Sequence, residues 1–193
     1  MKPFIFEVKH IGKGSLCIMP APRPNTLAED MTHYMQMGIH KVVSLLEKQE
    51  ATARGLAFEA HLCTELGMEF EQFPIPDQRI PKNTKAFNAL VEHLYTELQA
   101  GKNISVHCYA GIGRTGVLAG SLLIRDGMEP GAAIDLMSRV RGRNMPQTQE
   151  QYEYLTGHDA PMLPAFAGAM EEHSSRSLSA GRNGWFRRLF AIS

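Results

Sequence analysis

Residues 104–124 constrain most strongly what this chain can become. Ile104-Ser105-Val106-His107 is a short apolar run and reads as a buried strand. Cys108-Tyr109-Ala110-Gly111-Ile112-Gly113-Arg114-Thr115-Gly116 follows as a glycine-rich turn, and Val117 to Ile124 reads as a buried helix. Cys108 falls where the strand ends and Arg114 where the helix begins. A strand, a tight turn and a helix N-terminus form an anion site, because unpaired N–H groups converge there and the helix dipole favours negative charge. This one also holds a candidate nucleophile and a fixed cation.

Around that unit, strand and helix patterns alternate. Phe4–Val8 and Ser15–Met19 predict two strands joined by a turn with Gly12 and Gly14. Pro20-Ala21-Pro22-Arg23-Pro24 is a stiff connector. Thr26-Leu27-Ala28-Glu29 has the form of a capping box and opens a helix with Leu27, Met31, Tyr34 and Met35 on one face, stopping near Gly38. Val42–Leu46 reads as a central strand, 57–66 as a helix ending at Gly67, and Met68–Phe73 as a strand. Three prolines between Pro74 and Pro81 exclude helix and ladder from that loop, and Pro81 is placed to open the next helix, which buries Phe87, Leu90, Val91, Leu94 and Leu98. A helix over 130–140 turns Ala133, Ile134, Met137 and Val140 inward. Thr148-Gln149-Glu150-Gln151 is a second capping-box pattern ahead of Tyr152 and Leu155. The alternation predicts a single α/β domain over 1–157, with a central, mostly parallel sheet of about five strands flanked by helices. Residues 158–193 read as a C-terminal extension, serine-rich over 174–179 and therefore partly mobile, with a basic, aromatic end at Trp185–Ile192.

Twenty basic and twenty acidic residues cancel, so no global field points to nucleic acid or a membrane. Three widely spaced cysteines, Cys17, Cys63 and Cys108, are neither a disulfide framework nor a zinc site and fit a reducing, cytoplasmic compartment. The apolar run after Lys2 breaks at Glu7, which argues against a signal-peptide core.

A free thiol titrates at about 8.5, so only a few per cent is thiolate at pH 7. Convergent amides at a helix N-terminus lower that to roughly 3.5–7.5. The same amides, from Tyr109 to Thr115, face phosphate oxygens in a nest, and Arg114 offers them a planar fork. Gly111-Ile112-Gly113-Arg114-Thr115-Gly116, with Asp135 about 20 residues on, also matches a dinucleotide-binding pattern. That reading leaves the Cys108–Arg114 spacing unexplained and places the motif mid-chain. A Walker loop is excluded, since no lysine follows Gly113. Cys108 as a small buried hydrophobe accounts for neither Arg114 nor the glycines.

His107 to Gly116 resembles the phosphate loop of the cysteine-based tyrosine and dual-specificity phosphatases. Phe73-Pro74-Ile75-Pro76-Asp77 resembles that family's general-acid loop, and Pro146 to Leu155 its glutamine-bearing loop. Together they look most like the cyclin-dependent-kinase-associated subgroup, over roughly residues 5 to 156. The resemblance implies that Cys108 attacks phosphorus, that Arg114 and the loop Tyr109, Ala110, Gly111, Ile112 and Gly113 hold the phosphate, and that Asp77 is general acid then base. It further implies that Thr115 hydrogen-bonds the leaving sulfur, that His107 orients the loop, and that Gln147 and Gln151 place the water. Read alone, Asp77 is a turn aspartate after proline, Thr115 a helix-start hydroxyl, His107 an ordinary strand histidine and Gln151 a capping residue.

No metal or cofactor is called for, since the amides and Arg114 supply the positive field. The expected substrate is a phosphorylated protein side chain: phosphotyrosine, and phosphoserine or phosphothreonine if the pocket is shallow. Ala110 and Ile112 stand where the phosphoinositide-specific relatives are basic. The alternative is a phosphopeptide-binding scaffold without turnover, which the presence of Asp77, Cys108, Arg114 and Thr115 argues against. Arg79, Arg139, Arg141 and Arg143 read as a solvated basic face, or else as a ring about the pocket. Cys17 and Cys63 read as core thiols, with a protective disulfide to Cys108 as the other reading. A monomer is expected, with weak membrane or protein docking by the Trp185–Ile192 end, or its folding back on the domain, left open.

Overall fold

A computed structural model of the protein describes residues 2–157; the extension at 158–193, with its basic aromatic end, lies outside the described residues. Five strands form one sheet in the order β1-β2-β5-β3-β4. They are β1 (Phe6–Ile11), β2 (Gly14–Met19), β3 (Lys41–Ser44), β4 (Glu69–Gln72) and β5 (Ile104–His107). β1 runs antiparallel to β2 at one edge, and every other pairing is parallel. β5 lies between β2 and β3, with Ile104 opposite Leu16 on one side and Lys41 on the other. Such a strand is covered on both faces, hence its unbroken burial.

Side chains alternate along a strand, so β2 and β5 feed two separate cores. Leu16, Ile18, Ile104 and Val106 face one layer with α4 (Thr84–Ala100), α5 (Gly113–Arg125), α6 (Pro130–Arg141) and α7 (Gln149–Thr156). Cys17, Met19 and Val42 face the other, with α1 (Leu27–Gln36) and α3 (Glu59–Glu65). Cys108 joins the first layer and His107, by parity with Ser105, turns toward the second.

Several expectations are corrected. Glu29 does not reach back to cap α1, and the Thr26 side chain caps nothing; its hydroxyl donates instead to Asp30 at 3.3 Å. Asp30 is the buried carboxylate, taking the Arg23 guanidinium and amide. Met35 is exposed rather than inward. Pro81 does not open α4, which starts at Thr84 with Asn83 accepting from the Ala86 amide at 3.0 Å. The helix expected over 57–66 is the shorter α3, and a further helix, α2 (Lys48–Ala53), precedes it. The box at Thr148 and Gln151 forms as expected.

A charged group is buried at the start of an interior strand. Lys41, the first residue of β3, is 4% exposed, and its Nζ lies 2.5 Å from Glu97, 3.2 Å from Glu69 and 3.3 Å from Glu71. A buried ammonium requires such partners.

Candidate active site

β5 delivers Cys108 to the rim of the sheet, and the chain turns through residues 109–112 before α5 begins at Gly113. Gly111 makes that turn with φ +66°, and a Cβ there would stand 2.2 Å from the Met19 carbonyl oxygen. Only glycine satisfies both the dihedral and the approach. The Ala21 amide donates to the Tyr109 carbonyl at 2.9 Å, so the proline connector after β2 braces the loop.

Cys108 is 3% exposed. Burial alone would push its thiol up, but a hydrogen bond from the Thr115 hydroxyl, the amides of Thr115 and Ile112 and the charge of Arg114 together hold it below the ordinary thiol value. The Thr115 hydroxyl is itself buried, and no other group among the described residues satisfies it, so it is free to turn to the sulfur.

Arg114 is almost wholly buried. Its Nη1 donates to Glu50 Oε2 at 2.7 Å and to the Ile75 carbonyl at 3.1 Å, and its Nη2 donates to Glu50 Oε1 at 3.0 Å. Burial opposes its charge, while Glu50, Cys108 and Asp77 more than restore it. Asp77 Oδ1 lies 3.0 Å from Nη2, with its side chain 62% exposed to the site's mouth. Gln78 follows at φ +59°, the strained step by which the loop turns Asp77 inward.

Two carboxylates absent from the sequence reading complete the site. Glu50, on α2, is held below the usual carboxylate range mainly by its bond to Arg114, against the effect of burial. It also accepts from Arg54 Nε at 3.1 Å, and the Arg54 guanidinium stacks 3.4 Å from the Tyr109 ring centroid. The Glu50–Arg54 spacing of four on a helix was the signal available. Glu59, on α3, is 2% exposed and places Oε1 2.9 Å from His107 Nε2. His107 Nδ1 lies 3.0 Å from the Cys108 carbonyl oxygen. Nothing local marks Glu59, since one glutamate in a helix usually faces water.

Gln151 is fully buried and engaged at both ends. Its Nε2 donates to the Arg79 carbonyl at 3.1 Å, and its Oε1 accepts from the amides of Gln147 and Thr148 at 3.2 Å each. It therefore ties the loop that carries Asp77 and Arg79 to the loop that carries Gln147. Gln147 is exposed and packs against Gly113, where a Cβ would meet its side chain at 3.1 Å. The arginines do not act as one ring. Arg141 Nη2 donates to the Ala110 carbonyl at 3.0 Å and its guanidinium lies over Phe6, whereas Arg79 pairs with Glu150 at 3.6 Å. Among the described residues Arg139 and Arg143 have no carboxylate within 4.0 Å. Cys17 and Cys63 are free and packed in the layer opposite Cys108, so the disulfide reading is not what the structure holds.

Comparison with known proteins agrees with this geometry. Residues 17–128 match a family model described as a polymorphic toxin system DSP-PTPase phosphatase, Tc-R-P. Cyclin-dependent kinase inhibitor 3 of Rattus norvegicus is 29% identical over 146 residues, covering 72% of this chain and 68% of that protein. A kinase-associated phosphatase structure with its catalytic cysteine replaced by serine superposes with a TM-score of 0.70 at 23% identity, covering 80% of this chain and 93% of that one. The active form of Tk-PTP gives a TM-score of 0.62 at 26% identity, covering 80% and 95%. The chain belongs to the DSP-PTPase phosphatase family and stands close to the cyclin-dependent-kinase-associated phosphatases within it.

Proposed function

We propose that this cysteine-based protein phosphatase hydrolyses phosphotyrosine, and with it phosphoserine and phosphothreonine, through a phosphocysteine intermediate. The observation that carries the reading is the convergence of three groups. A low-pKa thiol sits on the floor of a nest of amides, a buried arginine stands beside it, and an exposed-side carboxylate is already bonded to that arginine.

In the first step the Cys108 thiolate attacks phosphorus as the P–O bond to the side chain breaks. Asp77 gives its proton to the departing oxygen. Asp77 must leave Arg114 Nη2 for this, and the incoming phosphate displaces it by taking the same donor. Arg114 and the loop amides hold the equatorial oxygens, where charge is greatest in the transition state. The Thr115 hydroxyl stabilises the sulfur when it leaves. In the second step water attacks phosphorus, the S–P bond breaks, and Asp77 takes the water's proton. Gln147 orients that water, since both ends of Gln151 are already engaged. A thiolate so activated is kept active where thiols are kept reduced, which favours a cytoplasmic setting.

Hydrolysis of an aryl phosphate by the full chain, insensitive to chelators and blocked by vanadate, is the direct test. Cys108→Ser abolishes it. Asp77→Ala lowers kcat by about 100-fold or more while binding persists, with the larger loss on alkyl than on aryl leaving groups, because only the former need the proton. Robust turnover by Cys108→Ser overturns the mechanism. Tight phosphopeptide binding by reduced parent protein without hydrolysis would favour the scaffold alternative instead.

A further inference from the structure

Of the buried ionisable residues that the proposed chemistry does not use, Glu59 is the one set against the residue before the nucleophile. Glu59 sits in an apolar layer with Met31, Tyr34 and Cys63 and is shut off from water. An isolated buried carboxylate costs several kcal/mol in desolvation, so a site that retains one must give it a partner. That partner is His107 Nε2, at 2.9 Å, on the residue that precedes the nucleophile. The other ring nitrogen faces the Cys108 carbonyl at 3.0 Å. A carbonyl only accepts, so Nδ1 carries a hydrogen. Nε2 meets the Glu59 carboxylate at ion-pair distance, off the axis of an aligned hydrogen bond, and beside that charge it carries one as well.

We infer that Glu59 is a positioning residue for catalysis: by holding His107 as a doubly protonated imidazolium, it locks the Cys108 carbonyl and places a fixed cation behind the thiolate. This deepens the phosphatase reading and rests on it. The direction of the His107 titration agrees, since burial alone would lower it, whereas the charge and hydrogen bond of Glu59, the Cys108 carbonyl and the Cys108 charge raise it. The charged and titratable groups around the chain are few. Burial pushes Tyr34 and Cys63 up, with the Glu59 carboxylate adding to it, so each stays neutral beside it. Thr115, Arg114 and, more distantly, Arg141 face Cys108. None of these competes for the proton between Glu59 and His107.

Glu59→Gln isolates the charge. A glutamine of the same shape keeps the packing against His107 Nε2, and Nδ1–H still reaches the carbonyl, so the contact and the carbonyl bond survive while the imidazolium does not. The experiment is the pH dependence of Cys108 alkylation by iodoacetamide in the full-length protein. It needs no substrate and reads only the thiolate. In the parent the reactive fraction persists well below pH 8. In Glu59→Gln the profile moves up by roughly half to one unit, a three- to tenfold loss of rate at low pH. In a His107→Asn background, Glu59→Gln adds no further shift. A Glu59→Gln profile that superimposes on the parent, with only the melting temperature lowered, overturns the inference and leaves the phosphatase reading intact. A parent thiol that titrates at its ordinary value overturns the phosphatase reading itself. Should Glu59→Gln not fold, 15N NMR of the parent decides, with the His107 signal assigned by its loss in His107→Asn. An imidazolium at pH 7.5 supports the role, and a neutral ring at pH 6.5 refutes it.

Discussion

In the proposed mechanism phosphate binding turns on Arg114, whose orientation is set by Glu50 from another element. The two guanidinium bonds to Glu50, 2.7 and 3.0 Å, fix the plane of the fork, while Nη1 also reaches the Ile75 carbonyl and Nη2 the Asp77 carboxylate. Glu50→Gln leaves the arginine charged, because a guanidinium does not deprotonate in a protein. What is lost is one charge-assisted bond and the geometry, about 1.5–3 kcal/mol. The expected result is a kcat/KM on an aryl phosphate lower by roughly 10- to 100-fold, with a parallel weakening of vanadate inhibition. Arg114 in turn keeps the Glu50 carboxyl ionised below the usual carboxylate range. A Glu50→Gln enzyme that binds vanadate as tightly as the parent would show the fork to be held by the Ile75 carbonyl and packing alone.

At the scale of elements, the phosphate loop was legible because its whole logic is local: strand, thiol, glycines and arginine occupy thirteen consecutive positions, Ile104 to Gly116. Asp77 and Gln147 became legible only as loops whose order along the chain matches a family. Glu50 and Glu59 were not legible. α2 is six residues, Lys48–Ala53, with no buried residue, so it carries no apolar period. Its value to the site is entirely tertiary. The failed capping box at Thr26 has a related cause: Arg23 captures Asp30 on two oxygens and the first turn is organised around that pair instead. β3 shows the reverse case, a charge that starts a central strand. The three carboxylates about Lys41 come from β4 and α4, so this one ammonium joins both to the sheet. Lys41→Met would leave Glu97, whose side chain is 13% exposed, without its nearest cation. Urea denaturation should show a loss of about 3–5 kcal/mol, the range for breaking a buried pair. The neighbouring bond from Lys102 to Glu97, at 2.7 Å, would temper the loss, and Lys41→Met with Lys102→Met should then exceed the sum of the singles.

The whole molecule distributes its three thiols across two layers, and their titrations pull stability in opposite directions. Cys108 is lowered in the fold, so its thiolate adds stability that is complete above the unfolded value of 9.0 and drains away as pH falls through its folded value. His107 is raised, so its contribution is complete below 6.5 and is lost as pH rises through its folded value. Where these windows overlap, the two slopes oppose each other and stability changes little with pH. Cys17 and Cys63 behave otherwise. Burial, aided by Glu7 and Glu59 respectively, pushes both to about 12. Above pH 9 the unfolded chain releases these two protons and the folded protein keeps them, so unfolding gains about 1.4 kcal/mol per pH unit for each thiol. Reduced parent protein should therefore lose stability steeply between pH 9 and 10.5. Cys17→Ala with Cys63→Ala should flatten that limb even though the cavities lower stability at neutral pH. Urea midpoints and m-values at pH 7.5, 9 and 10.5 separate the two effects, since packing moves the intercept and ionisation moves the slope. An alkaline slope unchanged in the double variant would mean that the layer of α1 and α3 opens to water before the sheet unfolds, and with it the shelter that keeps Glu59 beside His107.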